Sequence, residues 1–268
     1  MNVLRMICMA FSTYSRIPMP QVKWEKKNAD YVICFYPLVG LVVGLAEVAC
    51  LYVARSKHFP AVVTTLLVIA IPILISGGIH LDGLIDTADA RHSYLPKEEK
   101  LRILKDPHVG AFGVIRLLLY LMLVFAGLLL VVTRMEGSRS QALWDAEMIY
   151  AMLLPVWCRV LVAITSVWFP KAKKEGMLQS VTGGKQITQT IILSEFALLC
   201  IVVAILGLPM AVEGRRCVLL VVTHLLFLLW YRRMADKEFG GVTGDLAGWL
   251  LCMLEGIAVA VLVPDFIL

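Results

Sequence analysis

Three aspartates, Asp82, Asp86 and Asp89, stand in the stretch Gly77-Gly78-Ile79-His80-Leu81-Asp82-Gly83-Leu84-Ile85-Asp86-Thr87-Ala88-Asp89-Ala90-Arg91, with almost nothing else polar between them. If the segment is helical, offsets of four and seven put all three carboxylates on one stripe, a turn apart. Unbalanced acids that close repel one another unless a cation lies among them. Hard divalent ions such as Mg²⁺ take oxygen ligands, commonly a few carboxylates together with substrate phosphates. A metal held by Asp82, Asp86 and Asp89 is the chemistry this spacing points to. Gly77, Gly78 and Gly83 are places where a backbone or a bulky ligand can approach closely. The lone His80 is either a hydrogen-bonded interior residue or a ligand.

Other segments add groups of the same kind. Lys105-Asp106-Pro107-His108-Val109-Gly110-Ala111-Phe112-Gly113 brings a fourth acid, Asp106. Lys105 and backbone N–H groups near Gly110 could cradle phosphate oxygens, although a plain turn before a helix explains the same residues. Gly240-Gly241-Val242-Thr243-Gly244-Asp245 is a flexible turn with a hydroxyl and an acid ahead of a helix. Asp245 there is either an N-cap or a catalytic carboxylate. Arg16 lies on an irregular segment that Pro18 and Pro20 keep from being helical, as a phosphate clamp or a snorkelling anchor. Lys171, Lys173 and Lys174, followed by Thr182-Gly183-Gly184-Lys185, form a basic cluster that suits anionic lipid, and its spacing is not that of a Walker loop.

The elements that position these groups follow from composition. The chain has 268 residues, 60% of them hydrophobic, with a mean hydropathy of +0.82. Ordinary globular proteins are roughly 45–50% apolar, so this is a membrane composition. Windows of about 20 residues, the length that crosses the hydrocarbon layer, fall near 31–54, 60–79, 111–133, 146–168, 187–207, 215–231 and 246–263. The expected fold is all-α: a polytopic integral membrane helix bundle of about seven spans, with the polar loops forming the active site. Residues 1–30 are too polar to span, but Val3, Leu4, Met6, Ile7, Ala10 and Phe11 make an apolar face suited to the membrane surface. With no long repeat or linker, 1–268 reads as a single membrane-embedded catalytic domain.

Three details concern the interior. Gly40 and Gly44 are spaced to let another helix come close. Glu47 and Arg159 are ionisable groups inside apolar runs, where they face the bundle interior and need partners. For Arg159 these are Glu47, Glu255 or a bound phosphate. The seven cysteines show no CxxC spacing and read as small buried hydrophobes.

Basic residues are shared unevenly between alternate loops. One side takes the Lys and Arg residues of 5–27, 91–105, 171–185 and 232–237, and the other only Arg55, Lys57, Arg134, Arg139, Arg215 and Arg216. The positive-inside rule puts the N-terminus, the aspartate stretch and the later polar loops in the cytoplasm and the C-terminus outside. Acids in some cytoplasmic loops and Arg and Lys in others are the equipment for handling a metal-bound pyrophosphate. A transporter would carry its polar groups nearer the bilayer midplane, in broken helices related by a repeat.

At these residues the sequence closely resembles the adenosylcobinamide-GDP ribazoletransferases, the cobalamin-5′-phosphate synthases. The aspartate stretch carries the likeness, with the Gly-Gly-x-Thr-Gly-Asp segment at 240–245 supporting it, and it extends through 11–20, 36–40, 105–113 and 240–255. The chain departs from the usual pattern at Ala90, where a glycine commonly stands, and at Pro107-His108, where serine and a basic residue are usual. The resemblance implies a multi-pass enzyme of the cell inner membrane that uses Mg²⁺. In its reaction a ribose hydroxyl of α-ribazole, or of its 5′-phosphate, attacks the corrinoid-linked phosphate of adenosylcobinamide-GDP, and GMP leaves.

The implied catalytic set is Asp82, Asp86, Asp89, Asp106 and Asp245, with the first three on the metal. Arg16, Gly78, His80, Lys105, Gly110, Arg159 and Thr243 are the expected substrate-side residues. Expected partners are the two substrates, the lipid membrane and, beyond them, a second copy or other corrinoid-assembly enzymes; no nucleic acid is expected. The competing readings are a CDP-alcohol phosphatidyltransferase-like enzyme, whose later acids are spaced differently, and a non-enzymatic transporter.

Overall fold

The computed structural model describes residues 3–172, 177–182, 186–207 and 211–263, and the regular structure among them is helical apart from one isolated bridge between Lys171 and Val242. Lys173, Lys174 and Gly176 and the Gly183-Gly184-Lys185 run lie outside the described residues.

Among the described residues five helical segments are long and apolar enough to cross a membrane: residues 32–57, Ala111–Gly137, Gln141–Trp168, 214–239 and Gly244–Leu262. Each coincides with one of the expected windows. In the first, a short 3₁₀ turn, Val32–Phe35, leads into α3, Tyr36–Lys57; α1 and α2 are Val3–Tyr14 and Lys26–Ala29. The next pair, α4 at Ala61–Ser76 and α5 at Ile79–His92, passes the same test together but is bent by 89°. Counting that pair as one crossing gives six. At 1.5 Å per residue α4 alone is about 24 Å long, short of the ~30 Å hydrocarbon layer. The described apolar part of the remaining window, 186–201, is 16 residues long, so the described residues give five to six candidate crossings of a polytopic helix bundle.

After α6, Lys97–Ile103, the chain enters α7, Ala111–Gly137, then α8, Gln141–Trp168, α9, Met177–Val181, α10, Gln186–Gly207, α11, Ala211–Phe239, and α12, Gly244–Leu262. Small residues set the closest approaches. A Cβ on Gly40 would lie 2.5 Å from the Pro155 carbonyl oxygen, and one on Gly44 2.3 Å from that of Met152. The pair therefore lets α3 sit directly on the backbone of α8, as its spacing predicts. His224 ties three helices: it accepts from Trp157 Nε1 at 2.9 Å through Nδ1 and donates from Nε2 to the Leu254 carbonyl at 2.9 Å.

Met6, Cys8, Met9, Ala10 and Phe11 of α1 are buried, and Met9 and Ala10 pack with Ala29, Val32 and Val181. Of the apolar face expected along the membrane surface, Met6, Ala10 and Phe11 are covered by the protein itself, while Val3 and Leu4 stay exposed.

Candidate active site

The bend between α4 and α5 is made by two consecutive glycines in the left-handed region, Gly77 at φ +67° and Gly78 at φ +82°. The Gly78 N–H returns to the Ile73 carbonyl at 3.0 Å, closing α4 with a left-handed cap. The aspartate stretch thereby leaves the direction of α4 and runs across it at one end of the bundle. Gly83, Leu84, Thr87, Ala88 and Ala90 form the buried face of α5, while Asp82 is exposed and Asp86 and Asp89 are half-buried.

The starts of α12 and α7 meet this helix. A Cβ on Gly83 would stand 2.5 Å from the Asp245 carbonyl oxygen, so the start of α12 lies directly against α5. Asp245 is not the N-cap of α12. Thr243 is, its hydroxyl accepting the Leu246 N–H at 3.2 Å, which leaves Asp245 in the first turn beside Asp86. Burial, then the charges of Asp82, Asp245 and Asp89, push the Asp86 carboxyl up to about 6. Among the described residues neither Asp82 nor Asp86 has a cation at ion-pair distance.

Asp89 is engaged differently. Its Oδ2 accepts the Gly110 N–H and its Oδ1 the Gly113 N–H, each at 2.8 Å. The N–H of Gly110, expected to be offered to phosphate, is thus taken by a carboxylate of the same protein. Asp106 is also occupied: Oδ1 accepts the His108 backbone N–H at 2.9 Å and meets its Nδ1 at 2.7 Å, which holds the carboxyl below its ordinary range. Lys105 beside it is exposed. His108, one of the departures from the family pattern, is thus the residue that engages Asp106.

Arg16 reaches the same end of the bundle. Its N–H donates to the Ile75 carbonyl at 2.7 Å, and its side chain crosses Gly77 so closely that a Cβ there would lie 2.2 Å from Arg16 Cγ. A Cβ on Gly78 would meet open space. Pro170 and Ala172 pair with Val242, and Lys171 donates to the Thr182 hydroxyl, so this segment braces the turn that carries Thr243. Burial lowers the Lys171 pKa.

Two expected substrate-side residues lie elsewhere. At about 100° per residue, His80 and Asp89 are separated by about half a turn of helix, so His80 faces away from the carboxylates. It stands 3.4 Å from the Tyr36 hydroxyl and lines a cavity of about 140 Å³ together with Glu47, Arg159 and Glu255. Arg159 is buried and bonded to Glu255 and to the Pro155 carbonyl, at 3.4 and 3.0 Å. Of the two carboxylates expected to serve it, Glu47 and Glu255, the second is within hydrogen-bond reach.

Sequence reasoning missed an ion network at the far end of α5. Glu238 of α11 takes Arg91 at 3.2 Å and Lys100 of α6 at 2.9 Å, and the Arg91 guanidinium also lies 5.3 and 5.6 Å from the Trp230 and Trp249 rings. The available signal was Arg91 ending the aspartate stretch and Glu238 just ahead of the Gly-Gly turn.

Among the described residues no three His, Cys, Asp or Glu side chains close into a ready-made metal cage. Mg²⁺ is usually bound by one or two carboxylates together with substrate phosphates and retained waters. Asp82 of α5 and Asp245 of α12 both raise the carboxyl of Asp86, and the three oxygen donors would suit an ion that arrives with a phosphorylated substrate.

The sequence model of the cobalamin-5-phosphate synthase family matches residues 6–263. The chain belongs to this family. Among curated relatives it is similar to adenosylcobinamide-GDP ribazoletransferases of Lachnoclostridium phytofermentans, 35% identical over 97% of this chain and 95% of that one, and of Desulfitobacterium hafniense, 33% identical over 92% of each. The protein of that name from Clostridium botulinum strain Alaska E43 is 31% identical over 95% of each chain. No solved structure matches. Membership of the cobalamin-5-phosphate synthase family covers all the segments that meet at α5, from Arg16 to Asp245.

Proposed function

We propose that this multi-pass membrane protein is an enzyme of cobalamin biosynthesis that joins adenosylcobinamide-GDP to α-ribazole or its 5′-phosphate. The full-length family match carries this reading, and the convergence of Asp82, Asp86 and Asp245 at one helix face supports it chemically. In the reaction the ribose 3′-hydroxyl forms a P–O bond to the corrinoid-linked phosphate, the phosphoanhydride bond breaks, and GMP leaves. The hydroxyl proton passes to a carboxylate of this face.

Asp82, Asp86 and Asp245 would hold Mg²⁺, which when bound would neutralise charge developing on the diphosphate oxygens. Arg16, lying across Gly77, supplies positive charge at the start of α5, and the uncrowded backbone at Gly78 gives a ligand room there. Lys105 is exposed and within the same group of loops. The site end of the bundle faces the cytoplasm on the asymmetry of basic residues, in the inner membrane of the cell.

The test is direct. Purified protein in lipid nanodiscs is mixed with adenosylcobinamide-GDP, α-ribazole 5′-phosphate and Mg²⁺, and GMP is measured. Release of GMP with formation of the nucleotide-loop product is expected. Absence of GMP from well-folded protein at any metal concentration would overturn the reading.

A further inference from the structure

The first turn of α7 is capped from another helix. Gly110 and Gly113 are its N-cap and third helical residues, and the two N–H groups that Asp89 accepts are the same two donors that a capping box satisfies with two separate side chains. No side chain of α7's own N-cap residue makes such a bond. The first N–H groups of a helix have no partner within it and carry its positive dipole end. One carboxylate of α5 therefore takes both donors and meets favourable charge as well.

The glycines fit this contact. A Cβ on Gly110 would lie 2.4 Å from Asp89 Oδ1, and one on Gly113 2.5 Å from Oδ2. Both positions leave the space that the carboxylate fills. Asp89 lies on the same stripe as Asp82 and Asp86, yet its two oxygens have backbone partners where, among the described residues, Asp82 and Asp86 have none.

We propose that Asp89 is a positioning residue, which locks α5 to the start of α7 so that Asp82 and Asp86 face the substrate, and that it does not ligate the metal. The metal half of this statement rests on the function proposed above; the lock does not.

The full chain in nanodiscs is compared with Asp82→Asn, Asp89→Asn and Gly113→Ala. Mn²⁺ binding in the presence of GDP is followed by electron paramagnetic resonance, and amide exchange over 110–113 by mass spectrometry. Asp82→Asn should lose about tenfold or more in Mn²⁺ affinity with exchange unchanged. Asp89→Asn replaces one acceptor oxygen by an amide that faces an N–H, and Gly113→Ala pushes the carboxylate away without removing it. Both should keep Mn²⁺ affinity within about twofold while exchange quickens by about tenfold and kcat falls. A loss of Mn²⁺ affinity in Asp89→Asn equal to that in Asp82→Asn would overturn the proposal. So would wild-type protection of 110–113 in Gly113→Ala. Failure to release GMP would sink the proposed reaction, while the exchange data would still decide the lock.

Discussion

Arg159 Nη1 of α8 and Glu255 Oε1 of α12 stand 3.4 Å apart inside the helix bundle, where the arginine side chain is 1% exposed. Removing one member leaves the other charge buried without its partner, at a cost of about 3–5 kcal/mol. Glu255→Leu should therefore lower the unfolding temperature markedly, and the double variant Arg159→Met with Glu255→Leu should recover most of the loss. Thermal unfolding in nanodiscs measures both. If the recovered double variant also retains turnover, Arg159 takes no part in balancing substrate phosphate.

Asp82 is exposed on α5 and makes no ion pair among the described residues, so its truncation should cost little stability. Asp82→Ala is expected to insert and unfold like the parent while GMP release drops by about a thousandfold, the scale of lost electrostatic stabilisation at a reacting phosphate. Turnover near the parent rate would remove Asp82 from the metal.

Glu238 joins Arg91 at the end of α5 to Lys100 on α6. Glu238→Gln keeps the shape but removes the charge, and each charge-assisted hydrogen bond contributes about 1.5–3 kcal/mol. The expected result is a lower kcat with Mn²⁺ affinity nearly intact, because the carboxylates remain and only the seating of α5 loosens. An unchanged kcat would show that α12 and α7 seat the helix without this network.

The Asp86 carboxyl is raised from an ordinary 3.8 to about 6. A raised carboxyl pKa means that the folded state holds the proton more tightly than the unfolded one. The associated stability is present below the unfolded value and is lost as pH rises through about 6. Burial first, and then the charges of Asp82, Asp245 and Asp89, disfavour the ionised carboxylate, and a bound cation offsets both and stabilises by mass action. The rise in unfolding temperature produced by Mg²⁺ should thus be larger at about pH 7.5 than at about pH 5, and Asp86→Asn should flatten the difference.

Local patterns carried much of this protein. Hydropathy determined the helical membrane class and placed the five long helices, because each span must satisfy its backbone within itself. Gly40 and Gly44 foretold a close helix contact, and the spacing of Asp82, Asp86 and Asp89 foretold a shared stripe. Tertiary structure decided which atoms those residues meet. Thr243 rather than Asp245 caps α12, Arg159 pairs with Glu255, and His80 turns toward Tyr36. Helical spacing puts the three aspartates on one face, but only the arrival of α7 at that face distinguishes them. Among the described residues it brings two backbone N–H groups to Asp89 and none to Asp82 or Asp86. Such a contact joins residues 21 and 24 positions apart on different helices, and its donors are main-chain atoms that leave no side-chain signature in the sequence.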